Sequence, residues 1–199
     1  MTEKLPTATL RPIIFARYPH SGQCKTRLIP ALGADGAAEL HRRLVERTLA
    51  RLADLSPILS ATGAQPDAFA RWLGPIELRT QGNGDLGTRM RHAARNEPAL
   101  IVGSDIPDID PAQIVEAAQA LHSNDLVLGP AEDGGFWLIA AKSWPAKLFE
   151  GVAWGRERAC SEVTANADRL GWRTRHIGTL ADLDRPEDLE RWPALDPRR

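Results

Sequence analysis

The sequence predicts an α/β fold, a single three-layer α/β/α domain on a mainly parallel sheet with one antiparallel excursion. Three observations predict it. Short apolar runs alternate with amphipathic helical stretches from residue 13 to about residue 127, which is the pattern of βαβ units. Two of these runs, Ile13-Ile14-Phe15-Ala16 and Ala99-Leu100-Ile101-Val102-Gly103, carry no polar face, as strands covered on both sides require. Asp133-Gly134-Gly135 then separates two further apolar runs, the hairpin signal that makes the excursion.

The bulk numbers set the frame. With 199 residues, 43% hydrophobic and 26% charged, the chain suits one buried core. A net charge of -1 gives no global pull towards nucleic acid or an anionic membrane, so any phosphate affinity must be local. No apolar run approaches the roughly eighteen residues of a membrane span, and the N-terminus lacks a signal-peptide layout, which predicts a cytoplasmic protein. Cys24 and Cys160 form no C-x-x-C pair, and the five histidines show no metal-ligand spacing.

The elements follow in order. Residues 1–11 are polar and expected to be flexible. Residues 13–16 form the first strand, which Pro19 and Gly22 stop. The loop behind it is basic: Lys25 and Arg27 stand beside backbone N–H groups that a glycine-containing turn can aim inward, a combination that suits phosphate oxygens. An ordinary solvated loop is the competing reading. From Asp35 a helix presents Ala37, Leu40, Leu44, Leu52 and Leu55 to the core and ends at Ser56-Pro57. A strand at 58–61, a short helix at 66–73 and a strand at 76–78 come next.

Gln81-Gly82-Asn83-Gly84-Asp85-Leu86-Gly87 leads into a helix running to about Asn96. Its glycines let backbone approach a ligand, while Asp85 doubles as an N-cap. The strand at 99–103 ends in Ser104-Asp105-Ile106-Pro107. Ligands of open α/β sheets collect at the carboxyl ends of strands, and a carboxylate there suits Mg²⁺ or Mn²⁺ on a diphosphate; a turn-forming aspartate is the rival use. Asp110-Pro111 opens a helix with Ile114, Ala117, Ala118 and Leu121 inward.

Strands at 126–129 and 136–140 flank the Asp133 turn, where glycines would make room for an acceptor. Residues 142–155 hold Trp144, Pro145, Phe149 and Trp154; ordinary aromatic packing is the reading, with a flap or a homodimer contact as functional alternatives. A helix over 156–170, an edge-like strand over 172–177 and a loop into a last helix complete the chain. Asp182 and Asp184 in that loop repel unless a cation joins them, so they are candidates for a metal shell, with capping by Asp184 as the bland use. Residues 193–199 are expected to be flexible.

Taken together, Phe15-Ala16-Arg17 through Gly22-x-x-Lys25-Thr26-Arg27-Leu28, Gly84-Asp85-Leu86-Gly87-x-Arg89-Met90, Gly103-Ser104-Asp105-x-Pro107, Gly129-Pro130-Ala131-x-Asp133-Gly134-Gly135 and Asp182-x-Asp184-x-Pro186-x-Asp188-Leu189 resemble a bacterial family of GT-A-like transferases. It is catalogued largely as a domain of unknown function, with some members labelled selenodomain-associated or arsenosugar-biosynthesis glycosyltransferases. The resemblance covers almost the whole chain. It implies the nucleotide-diphospho-sugar transferase fold, shared with the molybdenum-cofactor and phospholactate guanylyltransferases.

On that resemblance the nucleotide-binding residues would be Ala16, Arg17, Gly22, Lys25, Arg27, Gln81, Gly84 and Asp85. Lys25, Asp105 and Asp133 would be catalytic, and Asp133, Gly134, Gly135 and Phe136 would face the acceptor. Asp105 with Asp182 or Asp184 would hold Mg²⁺ or Mn²⁺. The partners would be a nucleotide or nucleotide-sugar donor and a small-molecule acceptor, without nucleic acid or membrane. The chain departs from the family pattern at Arg17-Tyr18-Pro19-His20 and at Phe136-Trp137, which bears on acceptor preference.

The expected function is therefore metal-dependent transfer from a nucleotide-activated donor, of a sugar from an NDP-sugar or of a nucleotidyl group from an NTP. A P-loop kinase is excluded because Cys24 precedes Lys25 and no G-x-x-x-x-G-K-[ST] can be written. A non-catalytic nucleotide-binding or regulatory module on the same fold is the alternative.

Overall fold

Seven strands run in the order β3-β2-β1-β4-β6-β5-β7 in the computed structural model of the chain, which describes residues 10–95, 97–155 and 157–199. The expectations for residues 1–9, for Asn96 as a helix end and for Arg156 as a helix start lie outside the described residues. The strands are β1 (Pro12–Arg17), β2 (Ile58–Thr62), β3 (Leu78–Thr80), β4 (Ala99–Gly103), β5 (Leu126–Pro130), β6 (Phe136–Ala141) and β7 (Thr174–His176). Only β6 is antiparallel to its neighbours, β4 and β5, so the carboxyl ends of the other six open on one edge. The fold is a single α/β domain.

Alternation along the strands makes two cores. Ile14, Leu100 and Val102 face one side, with Val45, Phe69 and Ile114 from the helices α1 (Ile29–Arg51), α2 (Pro66–Leu73) and α4 (Pro111–Ala120). Ile13, Ile101 and Ile139 face the other, against Met90 of α3 (Leu86–Ala94), Val163 of α5 (Ala159–Arg169), and Trp144 and Phe149 between β6 and α5. Period-2 strands between two helical layers thus need apolar residues at every position, as β1 and β4 have. Trp144 and Phe149 are buried in that second core, which accounts for the aromatic stretch as packing.

Several boundaries differ from expectation. The third strand is Leu78–Thr80, two residues later than predicted, because pairing of Leu59 with Leu78 sets the register; Ile76 packs on the core outside the strand. The first helix begins at Ile29, breaks at Gly33 (φ 72°, ψ 168°) and continues through Arg51. The last predicted helix is a 3₁₀ turn, Pro186–Glu190, followed by a second, Pro193–Leu195. The tail expected to be loose is docked: Asp196 is buried, and Arg198 reaches the Ala31 carbonyl at 3.5 Å. Leu183 and Leu189 lie in a third small core with Leu28, Leu40 and Leu44, which carries the C-terminal segment back over the loop after β1. No helix among the described residues is long and apolar enough to cross a membrane.

Candidate functional site

The chain steps from β1 to β2 and β3 on one side, then crosses to β4 on the other. The crevice between the ends of β1 and β4 is therefore the place where no connection covers the sheet edge, the usual ligand position in such folds. Lys25 follows β1 and Asp105 follows β4. Their side chains meet there, with Lys25 Nζ 2.8 Å from Asp105 Oδ1.

The loop holding Lys25 is braced from within. Arg17, the last residue of β1, donates to the Gln23 carbonyl at 3.0 Å, and the His20 ring lies 2.9 Å from the Gly63 carbonyl oxygen. Lys25 itself sits in the left-handed region (φ 47°, ψ 42°), which costs a non-glycine residue about 1–2 kcal/mol and marks a conformation that its surroundings impose. Its side chain is 4% exposed. Burial opposes the charge, but Asp105 and then Asp184 overcome it and hold the ammonium above the ordinary lysine range. Lys25 Nζ is 3.5 Å from Asp184 Oδ1, and Arg27 donates to Asp184 Oδ2 at 2.7 Å. Burial also pushes the Cys24 thiol up, so the neighbouring cations do not activate it.

Asp105 is half open, at 49% side-chain exposure. Its Oδ1 is buried against the Lys25 ammonium, so the exposure belongs to the rest of the carboxylate. Burial works against ionisation, yet the Lys25 ammonium keeps the carboxyl below its usual range. The segment around it is fixed: Arg47 and Arg51 of α1 donate to the carbonyls of Pro107 and Ile109 at 2.7 and 2.8 Å, and Leu183 N–H donates to the Asp105 carbonyl at 3.0 Å.

His41 is a site neighbour that sequence patterning missed, because it lies inside the apolar stripe of α1. Its Nε2 is 3.0 Å from the Arg17 carbonyl oxygen, and its Nδ1 is 3.9 Å from Asp105 Oδ1. A carbonyl only accepts, so Nε2 carries the proton and Nδ1 faces Asp105 bare in the neutral ring. Burial lowers its pKa. The only sequence signal was a histidine set among the apolar positions of that stripe.

Asp105, Asp133, Asp182 and Phe136 line one cleft of about 140 Å³. Burial and the adjacent Asp133 raise the Asp182 carboxyl, against the smaller opposing pull of Lys25. Asp133 itself accepts the Gly135 N–H at 2.8 Å. Gly134 does not make room for an acceptor: at φ +83°, a Cβ there would stand 2.2 Å from the Glu157 carbonyl oxygen, so its bareness admits protein backbone. Asp184, expected in a metal shell, instead has each oxygen turned to a cation, and the cap of the 3₁₀ turn is Asp188, which accepts from Asp184 and Arg185 N–H.

The loop from Gln81 to Asp85 is built otherwise than expected. Gln81 is buried and donates to the carbonyls of Ala16 and Ser60 at 3.1 and 2.9 Å, while its oxygen accepts from Arg89 at 3.2 Å. It ties β1 to β2 and has no free group to present. Asp85 caps α3 through the Thr88 N–H at 2.8 Å, and the Thr88 contacts hold its carboxyl below the ordinary range. Gly84, at φ +106°, has the Thr88 side chain against it.

A metal fits the Asp105 crevice on its donor chemistry. The described residues contain no group of three or more His, Cys, Asp or Glu side chains arranged as a complete shell. Mg²⁺ asks for less: one or two carboxylates, the rest of its octahedron being water and phosphate oxygens. The solvent-facing part of the Asp105 carboxylate, beyond the oxygen that Lys25 holds, and the Asp182 carboxylate in the same cleft meet that requirement.

The family model of uncharacterized proteins conserved in bacteria, DUF2064, matches residues 43–156, more than half of the chain. A solved structure from Desulfovibrio desulfuricans G20, a candidate nucleotide-diphospho-sugar transferase, is 32% identical with a TM-score of 0.80, covering 87% of this chain and 81% of that one. The 4-diphosphocytidyl-2C-methyl-D-erythritol synthase of Anaerococcus prevotii DSM 20548 shares the fold at 11% identity and a TM-score of 0.60, covering 94% and 98%. So does a CMP:2-keto-3-deoxy-manno-octonic acid synthetase complexed with CTP, at 14% identity and 0.54, covering 93% and 97%. No curated protein matches the chain in sequence.

Proposed function

Because the chain belongs to the DUF2064 family, within the nucleotide-diphospho-sugar transferase superfamily, we propose that it is a transferase drawing on a nucleotide-activated donor with Mg²⁺ or Mn²⁺. The observation that carries the reading is the meeting of Lys25 and Asp105 at 2.8 Å in the β1/β4 crevice. A strained, buried cation and a half-open carboxylate at that place suit one ligand class well, a metal-complexed pyrophosphate. The names of the neighbours, a candidate nucleotide-diphospho-sugar transferase and two cytidylyl-transferring synthetases, support the same class.

In this reading Asp105 and Asp182 hold the metal, which neutralises the diphosphate when bound. Lys25 and Arg27 take the phosphate oxygens, Asp184 holds both cations in place, and the turn at Gly22 brings backbone close to the ligand. Asp133 accepts the proton of an acceptor hydroxyl as its oxygen bonds to the donor; an NDP-sugar then releases the NDP, an NTP the pyrophosphate. Thermal denaturation with NTPs and NDP-sugars, each with Mg²⁺ or Mn²⁺, tests the donor class, since a ligand of the folded form raises Tm. A metal-dependent, base-selective rise is the expected result, and no shift from any of them contradicts it. Release of pyrophosphate or of NDP on adding acceptors then separates nucleotidyl from glycosyl transfer; donor binding with neither product indicates the non-catalytic module.

A further inference from the structure

Beside the Asp105 cleft lies a larger cavity of about 490 Å³, joined to it at Asp133 and bordered by Arg27, Arg158 and Arg185. The three guanidiniums come from separate parts of the chain: the loop after β1, the residue preceding α5, and the C-terminal segment. Three carboxylates, Asp133, Glu157 and Glu162, line it as well, and two of them each commit one oxygen to a backbone N–H. Glu162 accepts the Ala153 N–H at 2.8 Å, and Asp133 accepts that of Gly135. Arg27 is paired with Asp184. Arg158 and Arg185 have no carboxylate within ion-pair distance among the described residues, so two guanidiniums without an ion-pair partner border a cavity that also carries the charges of Asp133, Glu157 and Glu162.

We propose that this cavity is the acceptor subsite and that it takes a small hydroxylated molecule bearing a carboxylate or a phosphate ester. The proposal rests on the transferase reading for the word acceptor; the anion preference stands on the cavity alone. Its volume is that of a small-molecule site. The planar fork of arginine matches both anions with paired hydrogen bonds. Held by Arg158 and Arg185 at its anionic end, such a molecule presents its hydroxyl at Asp133, the residue shared with the Asp105 cleft.

The test uses three probes with one carbon skeleton: glycerate, glycerol 3-phosphate and glycerol, titrated without nucleotide into the ¹⁵N-labelled protein. At least one anionic probe is expected to bind at least tenfold more tightly than glycerol and to shift the amide resonances of Ala153, Gly155 and Ala159. Which anion does so identifies the acceptor's charged group. The double variant Arg158→Gln/Arg185→Gln is expected to lose at least tenfold of that affinity, with Mg-nucleotide affinity kept within threefold. Arg158→Lys/Arg185→Lys, which keeps the charge, is expected to retain part of it and serves if the first variant folds poorly. Equal binding of all three probes, or full anion affinity in the glutamine variant, overturns the proposal. Absence of nucleotide binding with the anion preference intact would instead sink the transferase and leave an anion site.

Discussion

The loop after β1 and the loop after β3 open on the same edge of the sheet, and both are polar and turn on glycine, yet they spend their polar groups in opposite directions. After β3, Gln81 hydrogen-bonds the ends of β1 and β2, and Asp85 caps its own helix. After β1, the backbone is held in a strained turn so that Lys25 and Arg27 reach across to carboxylates from other segments. A polar loop is a site where its side chains are satisfied only by charges brought from elsewhere, because those charges remain free to exchange for a ligand. Where the side chains satisfy the loop's own backbone, the loop is scaffold.

The sharpest way to break this comparison is to exchange the phenotypes. Lys25→Met is expected to weaken Mg-nucleotide binding by at least about 100-fold, or roughly 2.7 kcal/mol, while Tm falls by only a few degrees; calorimetric titration and thermal unfolding read the two. Gln81→Ala is expected to do the reverse. Leaving two buried carbonyls without a donor costs about 2–3 kcal/mol, or about 4–12 °C for a chain of this size, with nucleotide affinity kept within threefold. A Gln81 variant that kept its Tm and lost nucleotide would place the β3 loop in the site and end the distinction.

Smaller effects refine it. Asp85→Ala removes a cap worth about 1 kcal/mol and is expected to lower Tm by about 2–4 °C without touching binding. At the surface, Arg42 and Arg43 hold Glu39 down to about 2, with Arg42 the larger cause. Its folded value lies below the unfolded one, so the stabilisation is present above about pH 4.5 and fades as pH falls towards 2. Because the pair is partly exposed, the contribution is only a few tenths of a kcal/mol. Urea midpoints of Glu39→Gln should match wild type more nearly at pH 3 than at pH 7; an equal deficit at both would assign the effect to packing.

Much of the architecture was legible because burial on two faces leaves a plain mark. The runs at β1 and β4 have no polar position to spare, and Asp110-Pro111 carries its cap in the sequence, where Asp110 accepts from Ala112 N–H. The edge strand β3 was misplaced since only its pairing with β2, and nothing in Ile76 to Thr80 itself, sets where it starts. The hairpin was visible at Asp133, but that β6 would insert between β4 and β5 depends on long-range pairing that no local pattern encodes. In the site, Lys25 and Asp105 were found as strand-end residues of the right chemistry. His41 was hidden because it occupies a core position, and Asp184 was assigned to metal because the sequence could not show Arg27 beside it. Arg158 lies outside the sequence motifs and Arg185 fills an unspecified position of the last one; only the fold brings them to one cavity.

The central claim, that Asp105 presents a metal to the phosphates which Lys25 receives, is tested most directly by calorimetric titration of a nucleotide into wild type and Asp105→Asn, each with and without Mn²⁺. Mn²⁺ is expected to tighten binding at least tenfold in the wild type and to change it by less than twofold in the variant. Equal tightening in both proteins would contradict the claim.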